Sequence, residues 1–381
     1  MKNYLFFLFL FASAVIQAPV TGIVFDVETK EPLQYATIYC KAEGTGTVSN
    51  REGRFALFLK NPESEVSISY MGYNTITKKL SSTNEIPLKR ATIMLAEHTV
   101  TPIKDVEEIL ISVKKQYKKN HHVNKTICDV HLKQFYLADS KYIKSIDMIG
   151  ELEIPTVKNL KKEDKFRLSA VSAELYEDTT ALQAVIVFPK YVLAAFSNPY
   201  TVVYIMAALT NRYNFHTTRI YQDNTVVYKI DFSYKKEKKY TSRISGTIFI
   251  DEKTKAILEF ECRQNTSFEK EQIAEYNGET LIFKKQERGM KISYLKMDNN
   301  EYLMAYAIEY SKNLLNEEQR DFYTVLSNTN FKKSNFNNKY PINIYEDLFD
   351  QLLDMNLGKI SQGQNKIIPT KTELEFFEKN K

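Results

Sequence analysis

Thr21-Gly22-Ile23-Val24-Phe25-Asp26, then Glu31-Pro32-Leu33, Tyr35-Ala36-Thr37-Ile38, Gly44-Thr45-Gly46-Thr47, Ser49-Asn50, Gly53-Arg54-Phe55 and Ile68-Ser69-Tyr70-Met71-Gly72-Tyr73 form a run of short alternating segments. Alternation predicts strands at 20–27, 35–41, 55–59, 66–71 and 92–95, with Ala36, Ile38 and Cys40 sharing one face of the second. Five of the eleven glycines fall before residue 75. Pro32 fixes φ in the first connection, and Asn50-Arg51-Glu52-Gly53 has the residues a reversing turn prefers. Short strands at spacings near ten residues, cornered by glycine, point to an antiparallel β-sandwich.

These residues keep the order and spacing of the carboxypeptidase-regulatory-like domain, which they resemble from about residue 20 to 97. The resemblance implies a transthyretin-like sandwich of the kind found at the front of many exported envelope proteins of Gram-negative bacteria.

Outward from this domain, 381 residues at roughly 150 per domain leave space for one or two more. With 52 basic and 47 acidic side chains the net charge is +5, which argues against an acidic disordered tail and against a strongly basic nucleic-acid binder. Tyr (25) and Phe (23) are abundant and Trp is absent, a balance that favours strands.

Lys2 and the apolar run 4–14, with small-residue patterns at Ala12-Ser13-Ala14 and Ile16-Gln17-Ala18, predict a secretory signal peptide over 1–18. The nearest cysteine, Cys40, is too far away to suggest a lipid-anchored mature end. Residues 191–209 carry no charge, but Ser197-Asn198-Pro199 interrupts them. Two short buried segments joined by a turn are expected there, with no spanning helix in the mature chain.

The family's name raises the question of a zinc peptidase. Its ligands are usually announced by H-x-x-E or H-E-x-x-H, and none of His98, His121, His122, His131 and His216 has a Glu three positions on. His121, His122, Cys128 and His131 cluster in sequence, yet on a strand Cys128 and His131 face opposite sides. Nucleophile-elbow and phosphate-loop motifs are missing as well. Cys40, Cys128 and Cys262 read as buried structural thiols. Glu151 and Glu153 share a strand face, taken here as solvated. No catalytic, cofactor-binding or metal-ligating residue is expected, and the ligand-binding residues are left open.

Thr101-Pro102 opens a helix whose Ile103, Val106, Ile109, Leu110, Val113 and Tyr117 recur at spacings of three and four, with acids early and lysines late. Strands follow at 126–137, 141–149, 166–176, 225–234, 244–250, 257–262, 279–283, 291–297, 302–310 and 322–326, predicting a large curved antiparallel sheet. Lysine-rich turns such as 235–239 are expected to be solvated. Tyr117 and Asn120, Phe135-Tyr136, Val227-Tyr228-Lys229-Ile230-Asp231-Phe232, Gly246-Thr247-Ile248-Phe249-Ile250-Asp251 and Thr254-Lys255-Ala256-Ile257 resemble the region that often follows the regulatory-like domain. The rhythm also resembles the half-barrel of periplasmic lipoprotein carriers. Family members commonly have Phe-Tyr-Arg-Glu where this chain has Phe135-Tyr136-Leu137-Ala138, so no role of that Arg and Glu transfers.

The expected organisation is a signal peptide (1–18), a sandwich (19–98), a β-rich α+β domain opening with a helix (101–331), and a polar linker, closing helix at 344–355 and extended tail (332–381). The fold class is mostly β, or α+β. The expected function is non-catalytic: an exported binding or structural module of the periplasm or outer membrane, with an envelope protein, glycan or lipid as partner and no nucleic acid. The alternatives are a carrier of an apolar ligand, in a cavity lined by residues such as Phe249, Phe260 and Tyr306, and an unrecognised hydrolase.

Overall fold

The structure, a computed structural model, describes residues 18–94, 103–121, 124–155, 166–179, 188–194, 198–235, 243–267, 269–276, 279–333, 335–355, 357–360 and 364–380. The predicted signal peptide and Thr101-Pro102 lie essentially outside them.

The chain opens with β1 (Val20–Asp26), β2 (Thr37–Cys40), β3 (Thr45–Val48), β4 (Arg54–Leu57), β5 (Glu65–Ser69), β6 (Ile76–Lys79), β7 (Thr83–Leu88) and β8 (Thr92–Met94). One sheet has β1 between antiparallel β4 and parallel β7. The other runs β3-β2-β5-β6, all antiparallel. Val24, Ile38, Phe55, Leu57, Val66, Ile68 and Ile86 meet between them with almost no exposure. Gly53 shows why the turn before β4 needs glycine. Its φ is +73°, and a Cβ there would sit 2.5 Å from the Val24 carbonyl oxygen.

β8 does not belong to this sandwich, contrary to the expectation for 92–95. It pairs with Arg219, Ile220 and Tyr221 of the next domain, so the link between the domains is itself a ladder.

There follow α1 (Ile103–Asn120), β9 (Thr126–Ala138), β10 (Lys141–Ile154), β11 (Arg167–Glu177), α2 (Lys190–Leu193), α3 (Asn198–Ala208), β12 (Tyr213–Gln222), β13 (Thr225–Tyr234), β14 (Arg243–Asp251), β15 (Ile257–Asn265), β16 (Gln272–Tyr276), β17 (Glu279–Lys296), β18 (Tyr302–Leu315), β19 (Glu318–Lys333), β20 (Tyr340–Ile342), α4 (Leu348–Leu353) and α5 (Lys371–Lys379). Antiparallel ladders run in the order β8-β12-β13-β14-β15-β17-β18-β19-β9-β10-β11-β20. β16 shares one edge of β17 with β15. The segments expected at 279–283 and 291–297 are therefore two parts of one strand.

Period-two alternation gives this sheet two buried faces. Cys128, Val130 and Leu132 of β9, with Ile146, Met148, Phe260 and Ile292, turn to an inner face. There Val106, Leu110 and Val113 of α1, Val203 and Met206 of α3, and Leu348, Phe349 and Leu352 of α4 pack against them. Each such buried side chain contributes about 1.5–3 kcal/mol. Phe135, Leu137, Tyr306 and Val325 turn the other way and pack against Tyr39 and Val48 of the sandwich.

The uncharged segment 191–209 contains the expected pair of short elements, α2 and α3, but they are not buried throughout: Tyr191, Tyr204 and Ile205 are exposed, and the joining residues 195–197 lie outside the described residues. Pro199 lies in the first turn of α3, where a missing N–H is tolerated. No helix among the described residues is long and apolar enough to cross a membrane, which says nothing of crossing by strands. The tail departs from the extended course expected of it, because after residues 364–370, which form neither helix nor strand, comes a helix, α5, with Phe376 and Phe377 buried.

Candidate functional site

The outer face of β9, β10 and β19 meets the sandwich at a junction closed by residues 364–380. Ile367 donates its backbone N–H to His131 Nδ1 at 3.0 Å. That fixes the tautomer. The proton sits on Nε2, which donates to Asp147 Oδ1. Lys133, directly opposite Asp147 in the β9–β10 register, places its Nζ 2.6 Å from Glu373 Oε1 and 3.8 Å from Asp147 Oδ2. All four side chains are at most 3% exposed. Burial pushes the Asp147 carboxyl up, but His131 and Lys133 outweigh it, so the group stays below its ordinary range. Burial likewise lowers Lys133, and Glu373 and Asp147 more than restore it.

The same segment grips the sandwich. Asn365 Oδ1 accepts from Phe58 N at 2.7 Å, and its Nδ2 donates to Thr45 Oγ1 at 2.9 Å. Thr47 Oγ1 donates to the Lys366 carbonyl, Asn50 Nδ2 donates to the Pro369 carbonyl, and Glu52 accepts from Lys371 N. Thr370 and Glu373 form a capping box that starts α5. Beyond it, Phe377 stacks on Tyr176 at 3.9 Å, and Phe376 lies 6.1 Å from Tyr142.

Among the described residues, two clefts open along this junction. The larger, about 550 Å³, is bounded by Glu43, Lys60 and Phe58 of the sandwich, Asp129 and Glu151 of the large sheet, and Asn365. Asn330 Nδ2 donates to Asp129 Oδ2 at 3.0 Å, and the backbone N–H of Lys60 and of Asn61 donate to Glu43. The second cleft, about 380 Å³, has Tyr35, Tyr70, Tyr73 and Tyr310 with Glu261 and Lys291. Asp26 at its edge accepts hydrogen bonds from the Tyr73 hydroxyl, from Glu28 N and Thr29 N, and from Arg90. These outweigh burial and hold its carboxyl well below the usual range. Tyr35 keeps φ at +60°, a conformation a bulky residue adopts only when its surroundings enforce it.

The residues singled out in the sequence do not gather. His121 is stacked on Tyr117 at 4.4 Å and accepts from Ile257 N; burial pushes its pKa down to about 3. His131 is on the outer face and Cys128 on the inner, as strand geometry requires, while His98 and His122 lie outside the described residues. Burial raises the thiols of Cys128 and Cys262, the latter to about 12. Among the described residues no group of three or more His, Cys, Asp or Glu is placed to hold a metal ion.

Two expectations are overturned. Glu151 and Glu153 are buried, not solvated: Glu151 accepts from Asn337 N at 2.6 Å, and Glu153 pairs with Lys125 at 2.7 Å and Arg167 at 3.4 Å. Phe249, Phe260 and Tyr306 cannot line one cavity. Phe260 is in the inner core, whereas Tyr306 belongs to the outer one and, through the Phe249–Glu259–Ser293–Tyr306 register row, Phe249 shares its face. Sequence reading missed the His131–Asp147–Lys133–Glu373 cluster. Its only local signal was a histidine and a lysine at alternate positions of β9, His131 and Lys133.

Residues 20–101 match the family model of the CarboxypepD_reg-like domain, and the sandwich is such a domain. None of the curated proteins matches the chain. Among solved structures, a domain described as an outer membrane lipoprotein-sorting protein from Vibrio parahaemolyticus is 9% identical at TM-score 0.27, covering 61% of this chain and 95% of that one. The MucA/MucB complex of Pseudomonas aeruginosa gives 6% and 0.18, covering 58% and 93%. A membrane-associated protein of unknown function from Bacteroides fragilis gives 9% and 0.15, covering 83% and 100%. Likenesses at such scores establish neither a common fold nor a common ligand.

Proposed function

We propose that the chain is an exported envelope protein that acts by binding at the junction of its two domains and carries out no catalysis. The observation that carries this reading is the cleft of about 550 Å³ walled jointly by the sandwich and the large sheet. Its lining is mixed in character, with carboxylates and amides beside Phe58 and Ile149, and suits a polar partner better than an acyl chain. The carrier reading loses its site, since the inner face is packed by α1, α3 and α4 and the residues named for a cavity are divided between faces. His121, His131, Cys128 and Asp147 each have a structural contact that accounts for them. Export rests on the apolar run at 4–14 and placement in the periplasm or outer membrane on the company the regulatory-like domain keeps.

Fractionation of Gram-negative cells expressing the full chain tests the address, and mass spectrometry of the purified protein after exposure to envelope lipids tests the binding mode. The expected result is a processed protein in the envelope fractions without stoichiometric lipid. An unprocessed cytosolic protein, or one lipid per chain, overturns it.

A further inference from the structure

We propose that the junction is a peptide-binding groove and that residues 364–380 are its built-in occupant, exchangeable for a second polypeptide of the same chemistry. The fitting partner is a segment that enters without helix or strand and presents a backbone N–H, a carboxylate and, beyond them, paired aromatic rings.

Three observations carry this. First, residues 364–370 form neither helix nor strand and belong to no ladder; side chains of the surrounding domains hold their main chain instead. His131 accepts from Ile367 N, Thr47 and Asn50 donate to the Lys366 and Pro369 carbonyls, and Asn365 bonds both the N–H and the carbonyl of Phe58. Main-chain groups met by fixed side chains are the means by which folded domains recognise an extended peptide irrespective of much of its sequence. Secondly, the floor under the segment is ionic. A buried charge cluster adds little net stability, because desolvation offsets the Coulombic gain, yet it specifies one arrangement strictly. When the segment leaves, Lys133, Asp147 and His131 meet water, which solvates them, and no large apolar core is opened. Thirdly, the apolar anchoring is confined to Ile367, Phe376 and Phe377, and the two phenylalanines meet the rings of Tyr142 and Tyr176. A few aromatic anchors at a polar surface are the pattern of a binding interface.

The inference rests on the binding reading but not on export, and its test uses the purified chain, so either can fail alone. A protease site is inserted at 361–363 of the full chain, the chain is cut, and a fluorescent synthetic peptide of residues 364–380 is added. The expected result is a cut fragment that co-elutes with the body on gel filtration and is displaced by the labelled peptide in a saturable one-to-one exchange. A peptide carrying Phe377→Ala should compete about tenfold less well, and one carrying Glu373→Gln about a hundredfold less well. The proposal is overturned if the fragment never exchanges, if the body unfolds on cutting as read by circular dichroism, or if the altered peptides compete equally.

Discussion

Lys133 and Glu373 form an ion pair at 2.6 Å with both side chains 3% exposed, joining a strand near the middle of the large sheet to the last helix of the chain. Neither charge has water to fall back on while residues 364–380 are docked, so each is committed to the other.

Glu373→Gln isolates that commitment, because glutamine keeps the capping box of α5 and removes only the charge. Breaking the pair should lower stability by about 3 kcal/mol if the segment stays docked. Urea denaturation should show the lower midpoint, and hydrogen exchange should show faster labelling confined to residues 364–380. The double variant Lys133→Met/Glu373→Gln should lose less than the sum of the two single changes.

Glu309 gives a pH dependence. Burial raises its pKa from 4.5 to about 7, Arg288 opposing, and its Oε2 has no hydrogen-bond partner among the described residues. The folded state therefore keeps a proton that the unfolded state releases at lower pH. The stability this gives is fully present below pH 4.5 and is lost as pH rises through about 7. Glu309→Gln should stabilise the protein by about 1–3 kcal/mol at pH 8 and leave it nearly unchanged at pH 4, as read by thermal unfolding at both values.

The division of the large sheet into two faces is checked by a pair of alanines. Phe260→Ala empties the inner core and should cost about 3–5 kcal/mol. Phe249→Ala, at a partly exposed outer position, should cost clearly less by chemical denaturation. Equal losses would show that the two rings share a core.

Gly246 is a closer test of register. A Cβ there would lie 2.0 Å from the Glu261 carbonyl oxygen, so Gly246→Ala must part β14 from β15. A loss of about 1–3 kcal/mol or more is expected from overpacking. Gly44→Ala, open to solvent but at φ +65°, should lose only the cost of that conformation.

What the sequence made legible follows from how local each signal was. Alternation and glycine turns are carried within ten residues, and β1, β2, β4 and β5 were found from them. The helix at 103–120 was equally plain, because its apolar stripe is continuous. β12 was missed because Asn214, His216 and Arg219 interrupt its apolar residues, and only its neighbour β13 reveals its register. β17 was read as two pieces because Lys284 to Arg288 is polar, as suits a stretch of ribbon with less core behind it. Glu151 and Glu153 were misread for a related reason. Their partners Asn337, Lys125 and Arg167 approach from other segments, and nothing in the Glu-Leu-Glu pattern announces them. The junction cluster lay furthest from view, since the contacts that complete it, His131 with Ile367 and Lys133 with Glu373, join β9 to a segment far along the sequence.

Val171→Trp offers the most direct trial of binding at the junction. Val171 is exposed and borders the 550 Å³ cleft, so an indole can fill that space without disturbing the core. Quantitative capture from envelope extracts should then recover a partner with the unaltered protein and lose it with the equally folded variant. Recovery of the same partners in the same amounts by both proteins would contradict the account.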